Sequence, residues 1–149
     1  MSTQWLSEDE EQAWRAFRRM LTALPARLGR DLARDSALSP ADYEVLSTLS
    51  EKPQHRWALK DLAAKMEWSR SRLSHHASRM ESRGLVNKEP DPHDARGCIL
   101  HLSDHGYAVL EAAAHHHLVS VRRRFVDHLS HEELAMLREL STRIADLSD

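Results

Sequence analysis

One cysteine, Cys98, is present in 149 residues, so no intramolecular disulfide framework can staple this chain. No apolar run approaches the roughly 20 residues that a membrane-spanning helix requires. The segment Trp5-Leu6-Ser7-Glu8-Asp9-Glu10 lacks the basic and then apolar order of a secretory signal. Internal repeats and low-complexity linkers are also missing. These absences point to a single domain over residues 1–149, long enough to bury its own core, in the cytoplasm and without membrane contact.

What is present is concentrated between Ala58 and Leu102. Leu59, Leu62, Ala63 and Met66 recur at the three-and-four spacing of a helix with one apolar face, which ends at Glu67-Trp68. Ser69 is placed to cap a second helix, because its hydroxyl can accept from an unpaired N–H of the next turn. The inward stripe of that helix is Leu73, Ala77 and Met80. At about 100° per residue the opposite face carries Ser71, Arg72, His75, Ser78, Arg79 and Ser82, with no acid among them. Gly84 supplies the stop, since it enters the left-handed region at no steric cost. Leu85–Glu89 and Cys98–Leu102 then read as strands, and the turn-rich run from Pro90 to Gly97 as a loop between them. Helix, helix, hairpin is the order of a winged helix-turn-helix.

Charge, counted locally, points the same way. The chain as a whole stands at −2. Trp68 to Lys88 holds Arg70, Arg72, Arg79, Arg83 and Lys88 against Glu81 alone, giving +4 there and leaving −6 elsewhere. A phosphate backbone would be drawn to that segment. A merely solvated amphipathic helix is the plainer explanation of such a face, and the hairpin that follows is what argues against it. At the hairpin tip Arg96 has a long stem and a planar five-donor head suited to a narrow minor groove. Asp94, whose charge DNA would repel, is expected to position the wing and Arg96.

Several motifs in sequence order carry a resemblance. They are Leu38-Ser39-Pro40-Ala41-Asp42-Tyr43-Glu44-Val45-Leu46, Leu59-Lys60-Asp61-Leu62-Ala63, Ser69-Arg70-Ser71-Arg72-Leu73-Ser74, Met80-Glu81-Ser82-Arg83-Gly84-Leu85-Val86, Asp91-Pro92-His93-Asp94-Ala95-Arg96-Gly97 and Leu102-Ser103-Asp104-His105-Gly106. Together they resemble the MarR family of bacterial transcriptional regulators over nearly the whole chain. The resemblance implies a mostly α fold with a small two- or three-stranded β wing. It also implies a homodimer whose second motif helix enters the major groove while the wing arginine reaches the minor groove. On it, residues 38–102 form the DNA-binding lobe, and residues 5–35 and 103–149 supply the dimerisation helices. The candidate DNA contacts are Ser69, Arg70, Ser71, Arg72, Ser74, His75, Arg79, Lys88 and Arg96. The partner implied is double-stranded DNA carrying a palindromic operator. Members of the family commonly respond to a small aromatic or lipophilic effector, for which Trp14, Phe17, Tyr43 and His115 are candidate lining residues. Each of these four is also a candidate core residue. Two departures stand out: Glu67 occupies a turn position often held by Gly, and the reactive cysteine that peroxide-sensing members carry in their first helix is missing.

The terminal segments read as helices. Ser7 with Glu10 forms a capping-box pattern ahead of the stripe Trp14, Phe17, Leu21, Leu24, Leu28 and Leu32, which Pro25 interrupts. Ser39 with Pro40 begins a second helix, Ser103 a long one running to about His128, and Ser130 with Glu133 a last one bearing Leu134, Leu137, Leu140, Ile144 and Leu147. So much apolar surface at both ends suggests a subunit interface, the alternative being one monomeric core. Trp5, ahead of the first cap, is hard to bury in a monomer.

Rival readings come from the eleven histidines and from Cys98. His115, His116 and His117 are adjacent and cannot converge on one ion from a single helix. Glu111 with His115 has helical spacing for half a zinc site, with His55 or Glu44 as a third ligand. A metal-responsive regulator of the same fold is therefore the alternative, although the paired histidine motif of zinc-sensing relatives is absent and no cofactor is expected. Arg122-Arg123-Arg124 spreads around a helix and suits intersubunit ion pairs or solvation better than a second DNA face. Catalysis by Cys98 with a histidine, or by Asp91 with Asp94, would lack a preorganised pocket on a mobile wing, so an enzyme is not expected. A protein-binding winged-helix adaptor would be told apart by showing no steep salt dependence toward duplex DNA.

Overall fold

The computed structural model describes residues 4–147. Along the chain lie α1 (Glu8–Asp35), α2 (Pro40–Ser50), β1 (Arg56–Ala58), α3 (Leu59–Lys65), α4 (Arg70–Ser82), β2 (Val86–Asp91), β3 (Asp94–Leu102), α5 (Asp104–Arg124), a 3₁₀ turn (Val126–His128) and α6 (His131–Ala145). This is the mostly α architecture with a small antiparallel wing that the sequence pattern predicts. Two compact units are distinguished, Leu32–His116 and the terminal unit of Met1–Asp31 with His117–Asp149.

In the first unit the apolar stripes converge as their spacing dictates. Leu46 and Leu49 of α2, Leu62 of α3, Leu73, Ala77 and Met80 of α4, Val86 of β2 and Leu100 of β3 are all fully buried together. Each such leucine contributes about 1.5–3 kcal/mol relative to exposure. Helix ends follow the caps. Ser39 and Asp42 form a reciprocal capping box at the start of α2 with Pro40 in its first turn. Ser69 Oγ accepts from the Arg72 N–H at 3.1 Å to start α4. Gly84 leaves α4 at φ +74°. Glu67, in the turn between α3 and α4, takes φ +55°, the left-handed conformation that glycine would adopt without strain.

The sheet has the order β1-β3-β2, all antiparallel, with Trp57 opposite Leu100 and Val86 opposite Leu102. Two features differ from the sequence expectation. The short strand β1 had no local signal, because three residues become a strand only by pairing with β3. Much of the expected Pro90–Gly97 loop is strand as well, so the hairpin turns tightly at Pro92-His93. Asp91 Oδ1 accepts from the His93 N–H at 2.8 Å and Asp94 Oδ1 from the Arg96 N–H at 3.0 Å. These side-chain turns supply local bonds where the pairing register shifts, between Pro90 and Asp91.

The terminal unit is tied by one buried carboxylate. Asp31 of α1 is 1% exposed. It accepts from Arg124 Nη2 at 2.8 Å and Arg123 Nη2 at 3.2 Å, and from Ser120 Oγ and Arg124 Nε as well. Arg122-Arg123-Arg124 thus make ion pairs within their own chain, where the sequence suggested pairs between subunits or solvation, and Arg122 meets Asp127 at 3.2 Å. Capping boxes of Ser7 with Glu10 and Ser130 with Glu133 open α1 and α6. Pro25 is accommodated inside α1, which is assigned as one helix of 28 residues. No helix among the described residues is long and apolar enough to cross a membrane.

Candidate nucleic-acid interface

Helix α4 buries Leu73, Ala77 and Met80, which rotates Arg70, Ser71, Arg72, His75 and Arg79 out to solvent. Arg96 on β3 and Lys60 on α3 are exposed too. Between α3, the first turn of α4 and the base of the wing runs a groove of about 450 Å³, whose walls include Lys60, Arg70, Ser71, Ser74, Asp94 and Arg96. Cations from three elements therefore border one concave surface, while the Asp94 carboxylate is occupied by the Arg96 N–H. Gly97 must lie close to Asp94, since a Cβ there would meet the Asp94 side chain at 3.1 Å.

Two of the five cations counted on this segment are directed inward instead. Lys88, an expected DNA contact, is half-buried, and its Nζ donates to Ser78 Oγ at 2.6 Å and to Ser74 O at 3.0 Å. Its Nζ also lies 3.4 Å from Ser74 Oγ. That ammonium fastens the wing to α4, and Ser74, half-buried itself, joins the fastening. Arg83 donates to Asp42 Oδ2 and to Ala37 O, each at 2.7 Å, which anchors the end of α4 to α2. No local sequence signal marks either pairing, because both partners come from other elements.

Sequence reasoning also missed three residues beneath the exposed arginines. The Arg72 guanidinium carbon lies 3.6 Å from the centroid of the Trp68 ring. His76 meets that indole edge-on, at 5.7 Å between centroids. Arg79 Nη2 is 3.1 Å from His76 Nδ1. Because guanidinium has no acceptor, Nδ1 must accept, which leaves the imidazole proton on Nε2. Nε2 lies 2.9 Å from Asp42 Oδ1, although its N–H is not aligned for a good hydrogen bond. Burial pushes the Asp42 carboxyl up, but the Arg83 and Ser39 hydrogen bonds, with the charge of Arg83 and that of His76 when its ring is protonated, together bring it below the usual carboxylate range. The Trp68/Arg72 and His76/Arg79 spacings of four and three were the signals available.

The remaining candidates are placed as follows. Trp14 and Phe17 are about half exposed on α1, their rings 6.1 Å apart, in the terminal unit. Tyr43 and His115 belong to the other unit. Tyr43 packs against the core, where burial raises its hydroxyl above the ordinary value, and His115 is exposed with its ring beside His116. No three His, Cys, Asp or Glu side chains among the described residues gather as metal ligands, and Glu111, His115, His55 and Glu44 form no such group. Cys98 is half-buried and its thiol is pushed up by that burial, the opposite of an activated nucleophile.

A winged helix-turn-helix whose second helix presents an acid-free basic face beside an exposed wing arginine is the architecture of a DNA-binding regulator. The MarR family model matches residues 38–98. The transcriptional regulator HosA of Escherichia coli O111:H- is 34% identical over 104 residues, spanning 69% of this chain and 74% of that protein. AbsC, a MarR family regulator of Streptomyces coelicolor, superposes with a TM-score of 0.91 at 39% identity over 97% of both chains. Sco3205 of the same organism, solved in complex with DNA, gives a TM-score of 0.93 at 35% identity over 97% of this chain and 91% of its own. The chain belongs to the MarR family. It is a transcriptional regulator, and the family is one of regulators rather than enzymes.

Proposed function

We propose that this protein is a cytoplasmic, ligand-responsive repressor that binds an inverted-repeat operator as a homodimer. Residues 38–102 act as the DNA-binding lobe, with α4 in the major groove and Arg96 in the minor groove, and residues 5–35 and 103–149 pair two subunits. The observation that carries this reading is the acid-free outer face of α4, where Arg70, Arg72, His75 and Arg79 are free of the core, flanked by the exposed Arg96. The likeness to Sco3205 supports it. Trp14, Phe17, Tyr43 and His115 remain the candidate effector contacts. Selection of bound fragments from a random DNA pool, repeated with small aromatic acids and lipophiles present, tests the reading. A shallow salt dependence with no enriched sequence would overturn it.

Arg72→Ala is expected to cost about 1–3 kcal/mol on the selected site, with relaxed preference at one base position, as befits a bidentate base contact. An equal loss on random DNA would make Arg72 a phosphate contact only. Arg96→Ala should instead weaken many sites together, leaving subunit association and helicity as they were. Titrations against the selected and scrambled duplexes distinguish the two behaviours. Unchanged affinity in the Arg96 variant would remove the wing from the interface.

A further inference from the structure

Among the exposed arginines of α4, Arg72 stands apart because its head is already stacked in the free protein. Its guanidinium carbon lies 3.6 Å above Trp68, closer than Lys52 Nζ over Trp57 at 4.0 Å or Arg18 over Trp14 at 6.0 Å. The platform beneath it is itself held. Trp68 packs against the buried core, and its ring is abutted by the edge of His76 at an interplanar angle of 83°. His76 is in turn set between Arg79 and Asp42. The Trp68 N–H is bonded to Ala63 O at 2.9 Å, which fixes the backbone from which the indole projects.

A long arginine on an exposed helix ordinarily samples many rotamers, and each base contact must stop that motion. Stacking on a fixed indole face removes part of it beforehand and favours one plane of the five-donor fork. We propose that Trp68 is a specificity-setting positioning residue: it makes no base contact but, braced by His76, holds Arg72 in the orientation in which Arg72 reads the major groove. The proposal rests on the DNA-reading role assigned to Arg72. Phosphate contacts are less demanding of orientation than bidentate base contacts, so loss of the platform should fall on discrimination and hardly on nonspecific affinity.

A double-mutant cycle on the full-length protein tests this, reading the ratio of affinities for the selected duplex and a scrambled duplex at one salt concentration. Trp68→Leu, which keeps apolar volume without a π face, is expected to lower that ratio roughly three- to tenfold, and Trp68→Phe to lower it less. Neither change should alter the ratio once Arg72→Ala is already in place. Should Trp68→Leu lack a cooperative melt, Trp68→Phe is read alone against both backgrounds with the same expectation. Equal losses whether Arg72 is intact or already replaced by alanine, or equal losses on both duplexes, would overturn the platform role. If Arg72→Ala by itself leaves the ratio unchanged, it is the base-reading assignment that fails, and the platform role fails with it.

Discussion

Asp42→Ala is expected to destabilise the protein by about 3 kcal/mol, the low end of what removing one partner of a buried ion pair costs. The low end applies because Arg83, its partner at 2.7 Å, has 42% of its side chain exposed and can be rehydrated. Asp42 itself is 4% exposed and serves two helices at once. Toward α2 its carboxylate accepts from the Ser39 N–H at 3.0 Å and completes the capping box. Toward the end of α4 it binds Arg83 and faces His76. The effect should depend on pH in a definite direction. The folded-state pKa lies below the ordinary 3.8, so above that value the ionised carboxylate contributes in full. As pH falls through the depressed value the contribution is lost. Urea melts of the wild type and Asp42→Asn, compared at pH 7 and pH 3, should therefore show a gap that narrows in acid. A gap of equal size at both would mean that packing, not charge, carries the role of Asp42.

The division between what the chain's pattern announces and what it conceals follows range of interaction. Ser39 with Asp42, Ser69 with the Arg72 N–H, and Gly84 past α4 act within a turn of their own position, and the Leu73, Ala77, Met80 stripe repeats at helical period, so the winged motif is readable residue by residue. Lys88 looks like an exposed strand cation until β2 is laid beside α4, which brings Ser74 and Ser78 under its ammonium. Arg83 looks like part of the basic face until α2 delivers Asp42 from 41 positions away. β1 has no pattern at all before β3 pairs with it. Glu67 shows the intermediate case: the turn between α3 and α4 marks its position, yet the left-handed conformation falls on a residue with a side chain, held there by the helix-end bonds of the Glu67 N–H to Ala64 O and the Trp68 N–H to Ala63 O.

Severing the proposed dimer should affect function more than any change within the DNA-binding lobe. In the terminal unit Trp5 is 85% exposed, Leu147 73%, Leu118 65% and Ile144 64%, and Trp14, Leu21, Val119 and Met136 are exposed as well. Leaving that many large apolar side chains in water forfeits about 1.5–3 kcal/mol for each that a partner would bury. Pairing of the stripes Trp14 to Leu32 and Leu134 to Leu147 across a two-fold axis would bury them and present two α4 helices with the same symmetry. The operator should then be an inverted repeat with half-site centres about 10 base pairs apart. Deleting residues 134–149 is expected to give a monomer, as is the milder Ile144→Glu, which places a charge where an exposed apolar side chain now stands. A monomer engages one half-site, so its plot of log affinity against log salt should have about half the dimer's slope, and its affinity for the full operator should fall by at least ~100-fold at physiological salt. Sedimentation gives the first result and footprinting across a salt series the second. A full-length protein that remains monomeric at micromolar concentration and protects one asymmetric half-site would refute the dimer while leaving the winged helix intact.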